Sequence, residues 1–127
     1  MKKENLTPFL PLSPAVLHIC LALVGEDRHG YGIMQEVARE SGGGCRLGPG
    51  TLYDNLQRLI TQSLIEETEG KSPDEDPRRR YYRLTGLGKR VLNAEIDRLD
   101  KALQSARAHL RGHAGGHAGG QARRKPA

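Results

Sequence analysis

Aromatic residues and long apolar runs are both scarce in this sequence. Aromatics make up 4% of the 127 residues and tryptophan is absent, so the chain has few flat side chains for building a cofactor pocket, and we predict no cofactor. The longest apolar stretch, residues 15–24, is interrupted by His18, whereas a membrane span needs about 20 apolar residues. The sequence therefore predicts no membrane-spanning helix, and residues 1–12 lack the pattern of a secretory signal.

Cysteines and catalytic groupings are equally sparse. Of the two cysteines, Cys20 lies in an apolar helical pattern and Cys45 in a glycine-rich segment, which favours reduced thiols in a cytoplasmic protein. The sequence shows no paired carboxylates, no Ser-His-Asp set and no phosphate-binding loop, because the glycines at 42–44 lack the following lysine and hydroxyl residue. We therefore predict that the protein is not an enzyme.

Positive charge is distributed unevenly along the chain. The formal net charge is +5, and four of these charges come from residues 111–127, so the remainder is nearly neutral. That C-terminal segment is rich in glycine and histidine and has no large apolar side chain, which predicts a disordered basic tail. His113 and His117 have the i, i+4 spacing of helical metal ligands, but the surrounding glycines argue against a helix, so no metal site is predicted.

Hydrophobic periodicity indicates four helices and a hairpin. Ser13 and Pro14 form an N-cap and first helical position, and Gly48 with Pro49 opens a helix in the same way. The predicted helices cover residues 14–24, residues 31–40, a segment from residue 48, and residues 85–110. Residues 64–69 and 79–84 have strand preference and are joined by a segment with glycine, serine and two prolines, which predicts a β-hairpin.

Three helices followed by a hairpin is the element order of a winged helix-turn-helix domain. In such domains the third helix enters the DNA major groove, and the hairpin, called the wing, contacts the backbone or the minor groove. The sequence thus predicts a mostly α fold of the α+β type. Its expected parts are an N-terminal arm (1–12), a winged helix-turn-helix domain (13–84), a long C-terminal dimerisation helix (85–110) and the tail (111–127).

Several short motifs resemble those of the PadR family of transcriptional regulators. HGYGI at residues 29–33 lies at the second helix, GPGTLY at residues 48–53 opens the third, and RYYRLT at residues 80–85 ends the wing. The resemblance implies a dimeric winged-helix repressor of bacterial type whose DNA affinity is lowered by a small molecule. It also implies the short subtype, because a single helix follows the wing.

The third helix supplies candidate base contacts on the face opposite its leucine stripe. Arginine grips guanine and glutamine grips adenine through paired hydrogen bonds, so Arg58, Gln57 and Thr51 are expected to read base edges. Asp54, where family members often have proline, is expected to accept from a cytosine amine or to restrain Arg58. Tyr53 and the amides of the first helical turn are expected to hold phosphate. The full set of predicted DNA contacts is Tyr31, Gly50, Thr51, Tyr53, Asn55, Gln57, Arg58, Arg79, Arg80 and Tyr82.

The wing is expected to place arginines against the DNA. Arg79 and Arg80 are predicted to meet phosphate or the minor groove. Because side chains alternate along a strand, Tyr81 and Tyr82 should lie on opposite faces, with at least one of them packed inward. The acidic residues 74–76 would be repelled by the duplex and should lie away from it.

The final helix carries apolar residues at the alternating spacings of four and three that define a coiled-coil seam. The stripe is about 27 Å long at 1.5 Å per residue, which is more than a small winged domain needs to cover itself. A second subunit is the economical partner, and its two-fold symmetry would match a near-palindromic operator. The predicted dimer-interface residues are Leu92, Ile96, Leu99, Leu103, Ala106 and Leu110.

Two further functions fit the same scaffold. One is a redox- or metal-responsive sensor that uses Cys20 or Cys45 with His18 or His29. The other is a protein-binding adaptor that has lost DNA binding. The polar face of the third helix and the arginines at positions 78, 79, 80 and 83 argue against it.

Overall fold

The computed structural model describes residues 4–69 and 79–116, with side chains through His113. A short 3-10 turn, Thr7–Phe9, precedes four helices and three short strands. In chain order these elements are α1 (Pro14–Ala22), β1 (Arg28–His29), α2 (Gly30–Glu40), α3 (Pro49–Thr61), β2 (Ile65–Thr68), β3 (Tyr81–Leu84) and α4 (Gly86–Gly116). The predicted fold, a winged helix-turn-helix domain followed by a long helix, is confirmed. Residues 74–76, whose position relative to DNA was predicted, lie outside the described residues.

Local capping chemistry explains where the first three helices begin. The Ser13 hydroxyl accepts from the Val16 amide at 3.2 Å, as expected for an N-cap before a proline. At α2 the cap is His29, whose Nδ1 accepts from the Gly32 amide at 3.1 Å. Gly48 occupies the N-cap of α3 without a side-chain bond, and Pro49 supplies the preset φ of the first turn.

The wing is a three-stranded antiparallel sheet with β3 in the centre, in the order β1-β3-β2. Strand β1 pairs Arg28 with Tyr82 and His29 with Tyr81. The sequence did not predict β1, because two residues are too few to show alternation. A hairpin was therefore expected where a three-stranded sheet is formed.

The core lies between the three N-terminal helices, the sheet and the start of α4. Its buried side chains are mainly aliphatic, and the leucine stripe predicted for α3 points into it through Leu52, Leu56 and Leu59. Val91 and Leu92 of α4 close the core from the other side. The polar face of α3 is thereby turned to solvent, which positions the site described below.

The beginning of α4 is fixed by contacts with the turn after α3. The Thr85 hydroxyl donates to the Ser63 carbonyl at 2.6 Å and accepts from the Gly88 amide at 3.0 Å. Gly88 lies directly against the Leu64 carbonyl, and a Cβ at this position would overlap that oxygen. The close approach of helix and backbone therefore requires glycine at residue 88.

The chain divides into two compact units, Met1–Glu95 and Ile96–Ala127. The first ten residues of α4 belong to the first unit, although the predicted boundary placed the whole helix outside the winged domain. Glu95 is buried there and its Oε2 accepts from the Leu12 amide at 3.0 Å. Arg90 pairs with Glu4 through Nε at 2.7 Å. The N-terminal arm is thus attached to the start of α4.

Helix α4 ends at Gly116, six residues beyond the predicted end at Leu110. The glycines of the predicted tail therefore do not stop the helix at residue 111, because glycine costs only about 1 kcal/mol in a helix and does not remove a backbone donor. Residues 117–127, the rest of that tail, lie outside the described residues. Within residues 4–69 and 79–116, no helix is both long and apolar enough to cross a membrane.

Candidate nucleic-acid interface

The exposed face of α3 carries most of the predicted base contacts. Thr51, Gln57 and Arg58 all point to solvent, as does Asp54. Tyr53 is about half exposed. These side chains share one helix whose opposite face is buried, so their orientation is set by the core. The face holds hydrogen-bond donors and one carboxylate within about two helical turns.

The first turn of α3 presents backbone donors next to this face. The Leu52 amide bonds to the Gly48 carbonyl at 2.9 Å, and Pro49 has no N–H, so the Gly50 and Thr51 amides lie in the open first turn. Nothing lies within 4 Å of the position that a Cβ on Gly50 would occupy. An anion can approach this helix end without a steric barrier, and the helix dipole favours it.

Asn55, one of the predicted DNA contacts, makes a hydrogen bond within its own helix. Its side chain is half-buried, and Nδ2 donates to the Thr51 carbonyl at 2.9 Å, one turn back on the same helix. A side-chain amide that is engaged with its own helix has fewer donors available for a base edge. Asn55 therefore lies at the border of the exposed face and not at its centre.

A second part of the site is an open cleft of about 320 Å³ between α2, α3 and the wing. Its walls combine aromatic and cationic side chains, and the N-terminus of α2 lies within it. Tyr31, in the first turn of α2, is 62% exposed. The cleft is lined by His29, Gly30, Tyr31, Tyr53, Arg79, Arg80 and Tyr82. The cleft thus unites the predicted α2, α3 and wing contacts on one surface.

The wing arginines already have partners within the protein. Arg80 Nη1 lies 3.1 Å from Glu67 Oε2, and Arg83 Nε lies 3.0 Å from Glu66 Oε2, across the β2–β3 pair. Arg79 Nη1 lies 3.0 Å from His29 Nε2. The ion pairs of Arg80 and Arg83 hold their guanidinium groups in place but are weak in water, so a phosphate can compete for them. The contact between Arg79 and His29 is not an ion pair, and His29 Nδ1 already accepts from the Gly32 amide.

Tyr82 was predicted to contact DNA, and the structure leaves little of its side chain exposed. It is only 4% exposed and belongs to the hydrophobic core, and burial raises the pKa of its phenol. Tyr81 is buried as well, because the His29 ring packs edge-on against it with centroids 5.4 Å apart. The unpredicted strand β1 pairs with the edge of β3 that a two-stranded hairpin would leave free. Tyr82 reaches the cleft only as part of its wall.

His29 is a residue whose role the sequence did not reveal. It caps α2, packs on Tyr81 and contacts Arg79, so a single imidazole connects α2 with the wing. The available signal was its place directly before a helix start, but histidine is not a common N-cap residue. Its three contacts come together only once the wing has folded against α2.

The predicted seam of α4 divides into a buried and an exposed part. Leu92 is 4% exposed and packs in the core of its own unit, so it is not available to a second subunit. From Ile96 onward the seam is open to solvent, with Leu103 at 49% and Leu110 at 70% exposure. Leu99 and Ala106 are exposed as well.

The two cysteines differ sharply in environment. Cys20 is buried in α1, and desolvation raises the pKa of its thiol to about 12. Cys45 is half-buried in the loop between α2 and α3, where its amide donates to the Ser41 hydroxyl at 2.9 Å. In the part of the chain that the structure describes, no group of three or more His, Cys, Asp or Glu side chains is placed to hold a metal ion.

Fold and site together define the class of this protein as a winged helix-turn-helix protein with a long C-terminal helix. Residues 17–94 match the model of the transcriptional regulator PadR-like family. The chain therefore belongs to the PadR-like family, which confirms the resemblance in the motifs around residues 29–33, 48–53 and 80–85. Members of this family are transcriptional regulators and not enzymes, so the prediction that the chain is not an enzyme is also confirmed.

Similar proteins include uncharacterized relatives and solved regulators. The chain is 40% identical over 76 residues to uncharacterized protein X of Lysinibacillus sphaericus, covering 59% of this chain and 69% of that protein. It is 37% identical over 81 residues, 64% of its length, to an uncharacterized 37.1 kDa protein in transposon TN4556 of Streptomyces fradiae, of which it spans only 21%.

Among solved structures, a PadR family transcription regulator from Clostridium difficile R20291 aligns with a TM-score of 0.66 at 26% identity, over 77% of this chain and 99% of that one. Bacillus subtilis PadR, solved in complex with operator DNA, aligns with a TM-score of 0.57 at 21% identity, over 68% of this chain and 47% of that one. The latter likeness shows the shared fold.

Proposed function

We propose that this protein is a dimeric transcriptional regulator that binds a specific, near-palindromic DNA site. The observation that carries the proposal is the solvent-facing polar side of α3, where Thr51, Gln57 and Arg58 point away from the core. A helix of this kind, in the third position of a winged domain, has the size and donors to read base edges in the major groove. Bacillus subtilis PadR, which shares the fold, has been solved with operator DNA.

The cleft beside α3 is the proposed phosphate site. Tyr31 and Tyr53 offer hydroxyl groups, and Arg79 and Arg80 supply positive charge on the opposite wall. Phosphate contacts of this kind fix the position of the protein on the duplex, whereas base contacts supply sequence preference. Gly50 and Thr51 add backbone donors at the start of α3.

The second subunit is proposed to cover the exposed seam of α4. Four large aliphatic seam side chains from Ile96 to Leu110 remain open in the single chain, and a continuous apolar stripe of this length is a poor surface to leave in water. In this arrangement residues 13–84 are the DNA-binding domain and the exposed part of the long helix is the dimerisation element. Leu92 is excluded from the interface because it is buried in its own unit.

Repression that is relieved by a small molecule is part of the same proposal and is supported by the family alone. A regulator of this kind works on the chromosome, so we place it in the cytoplasm. The adaptor alternative is disfavoured because the polar face of α3 is intact.

In vitro selection of DNA from a random library with the full chain tests the proposal. We expect enrichment of one motif made of two inverted half-sites about one helical turn apart, since the half-sites should follow the two-fold symmetry of the dimer. Enrichment of no motif would contradict sequence-specific binding. A motif without inverted repeats would contradict the symmetric dimer while leaving DNA binding in place.

The seam is tested separately by light scattering. Replacing Leu99 and Leu103 with alanine removes two exposed seam side chains, so we expect the dimer to dissociate at micromolar concentration. Gln104→Ala, on the same helix but outside the seam, is the matched control and should remain dimeric. A wild-type chain that is monomeric under these conditions would overturn the seam assignment.

A further inference from the structure

His29 lies where α2 meets the wing, and its two ring nitrogens face different groups. Nδ1 accepts from the Gly32 amide at 3.1 Å and so caps α2. Nε2 lies 3.0 Å from Nη1 of Arg79, the residue at which the wing enters the cleft. The Tyr81 ring packs edge-on against the imidazole. The cap and the ring contact together fix the orientation of the His29 side chain.

The cap determines where the proton of this imidazole lies. A backbone N–H can only donate, so Nδ1 must hold a lone pair in order to accept from Gly32. A doubly protonated ring has no such lone pair, so His29 is neutral while it caps the helix, and its single ring proton is on Nε2. The guanidinium of Arg79 has donors only. The facing atoms of His29 and Arg79 are therefore both donors and cannot bond to each other.

Two donors at this distance suit one acceptor that lies beside both of them. A phosphate oxygen has lone pairs for both, and hydrogen bonds in which a partner is charged are stronger than neutral ones. Both residues line the open cleft of about 320 Å³, together with Gly30 and Tyr31 of the first turn of α2. The positive end of the α2 dipole also favours an anion at this point. The chemistry of this part of the cleft thus selects an anionic oxygen.

We propose that His29 donates from Nε2 to a phosphate oxygen of the DNA backbone and that Arg79 binds the same oxygen. The inference rests on the proposed function, because the contact exists only in the complex with DNA. Arg79 supplies the charge, whereas His29 is a neutral positioning residue whose donor is held in place by the α2 cap. A contact to phosphate carries no base preference, so it adds affinity without changing the preferred site.

The neutrality of His29 makes its contribution distinguishable from that of Arg79. His29→Asn keeps a preferred N-cap side chain, but asparagine is too short to place a donor where Nε2 lies. We expect affinity for the selected duplex, measured by fluorescence anisotropy, to fall about tenfold per half-site, as for the loss of one hydrogen bond to a charged group. The salt dependence should not change, because a neutral donor displaces no counterion. Arg79→Ala should weaken binding and also make the salt dependence shallower.

A double-mutant cycle tests whether the two residues share one phosphate. The combined variant should lose less affinity than the product of the two single losses, by about threefold or more, because each residue holds the oxygen that the other binds. In the free energy of unfolding the same pair should show no favourable coupling, since two donors do not stabilise each other. Arg83→Ala is the matched control: it removes the same charge from the wing, but residue 83 does not line the cleft. Its effect on DNA affinity should be independent of His29→Asn.

Substitution of single phosphates in the duplex with methylphosphonate repeats the test without altering the α2 cap. We expect one position per half-site at which the substitution weakens wild-type binding and has much less effect on both His29→Asn and Arg79→Ala. Separate positions for the two residues, or an unchanged affinity of His29→Asn, would overturn the inference while leaving DNA binding in place. Coupling of the two residues in binding of inorganic phosphate but not of DNA would assign the site to a free anion and overturn it as well. A wild-type chain that binds no DNA would overturn the proposed function itself.

Discussion

The Tyr53 hydroxyl of α3 lies against Gly30 of α2, in the space that a Cβ on residue 30 would occupy. This contact sets the approach of the proposed recognition helix to the start of α2. It also explains physically why the HGYG and GTLY motifs occur together in one chain. A glycine in the first motif makes room for the tyrosine of the second.

Gly30→Ala should destabilise the protein by about 1–3 kcal/mol, because the new methyl group overlaps the Tyr53 ring. Urea denaturation monitored by circular dichroism measures the loss. In a Tyr53→Ala background the same substitution should cost much less, since the overlapping group is gone. Additive effects of the two substitutions would contradict a direct contact between these residues.

Gly88→Ala should be more damaging, because its Cβ would meet the Leu64 backbone carbonyl and not a movable side chain. We expect a loss of about 3 kcal/mol or more in the free energy of unfolding. Gly86→Ala, two residues earlier in α4, is the control: it meets only the flexible end of Arg90 and should be neutral or slightly stabilising. Equal thermal stability of the two variants would argue against the close approach of α4 to residue 64.

The exposed face of α3 predicts a specific change in DNA preference. Arg58→Ala should weaken binding by about 1–3 kcal/mol and relax the preference at one base position. Asp54→Ala should relax a cytosine preference at a neighbouring position if its carboxylate accepts from that base. Lys101→Ala removes the same charge as Arg58→Ala from exposed α4 and should leave the selected motif unchanged. An unaltered motif in the Arg58 variant would remove this residue from the proposed readout.

The ion pair between Arg80 and Glu67 predicts how the wing contributes to DNA affinity and to its salt dependence. Replacing Arg79 and Arg80 together with alanine should make the negative slope of log affinity against log salt shallower by about 2, since each phosphate contact contributes about 0.9 to its magnitude. Glu67→Gln should act in the opposite direction and tighten binding, because it frees Arg80 from an internal competitor. Binding isotherms measured between about 50 and 200 mM salt, where such effects are large, give the salt slope of the double variant and the affinity of Glu67→Gln. An unchanged slope in the double variant would contradict a DNA contact by the wing.

The reactivity of the buried Cys20 thiol distinguishes the proposed DNA-binding regulator from the redox-sensor alternative. Its pKa is raised to about 12, and the thiolate is the reactive form, so it should not react with a thiol reagent at pH 8 in the folded protein. Titration with dithionitrobenzoate should count one accessible thiol, Cys45, before unfolding and both thiols in urea. Rapid reaction of both thiols in the native protein would favour the sensor alternative.

Most of the fold could be predicted from local sequence patterns, because its longer elements begin and end at residues with strong local preferences. Ser13-Pro14 and Gly48-Pro49 mark helix starts, and the leucine stripe of α3 identifies both its buried side and its solvent side. The missed element, β1, has two residues, and its existence depends on pairing with Tyr81 and Tyr82 from a distant part of the chain. No local pattern can report such a strand.

The sequence by itself determined the family and the order of the helices, and it supplied the candidate residues for reading DNA, because these depend on motifs and on hydrophobic periodicity. Tertiary structure decided which candidates remain available. It placed Tyr82 of the central strand in the core, enclosed Leu92 there as well and engaged Asn55 with its own helix. It also extended α4 to Gly116, beyond the predicted end at Leu110. Burial and the end of a helix depend on contacts and on competing backbone conformations, and neither is encoded in the spacing of residues alone.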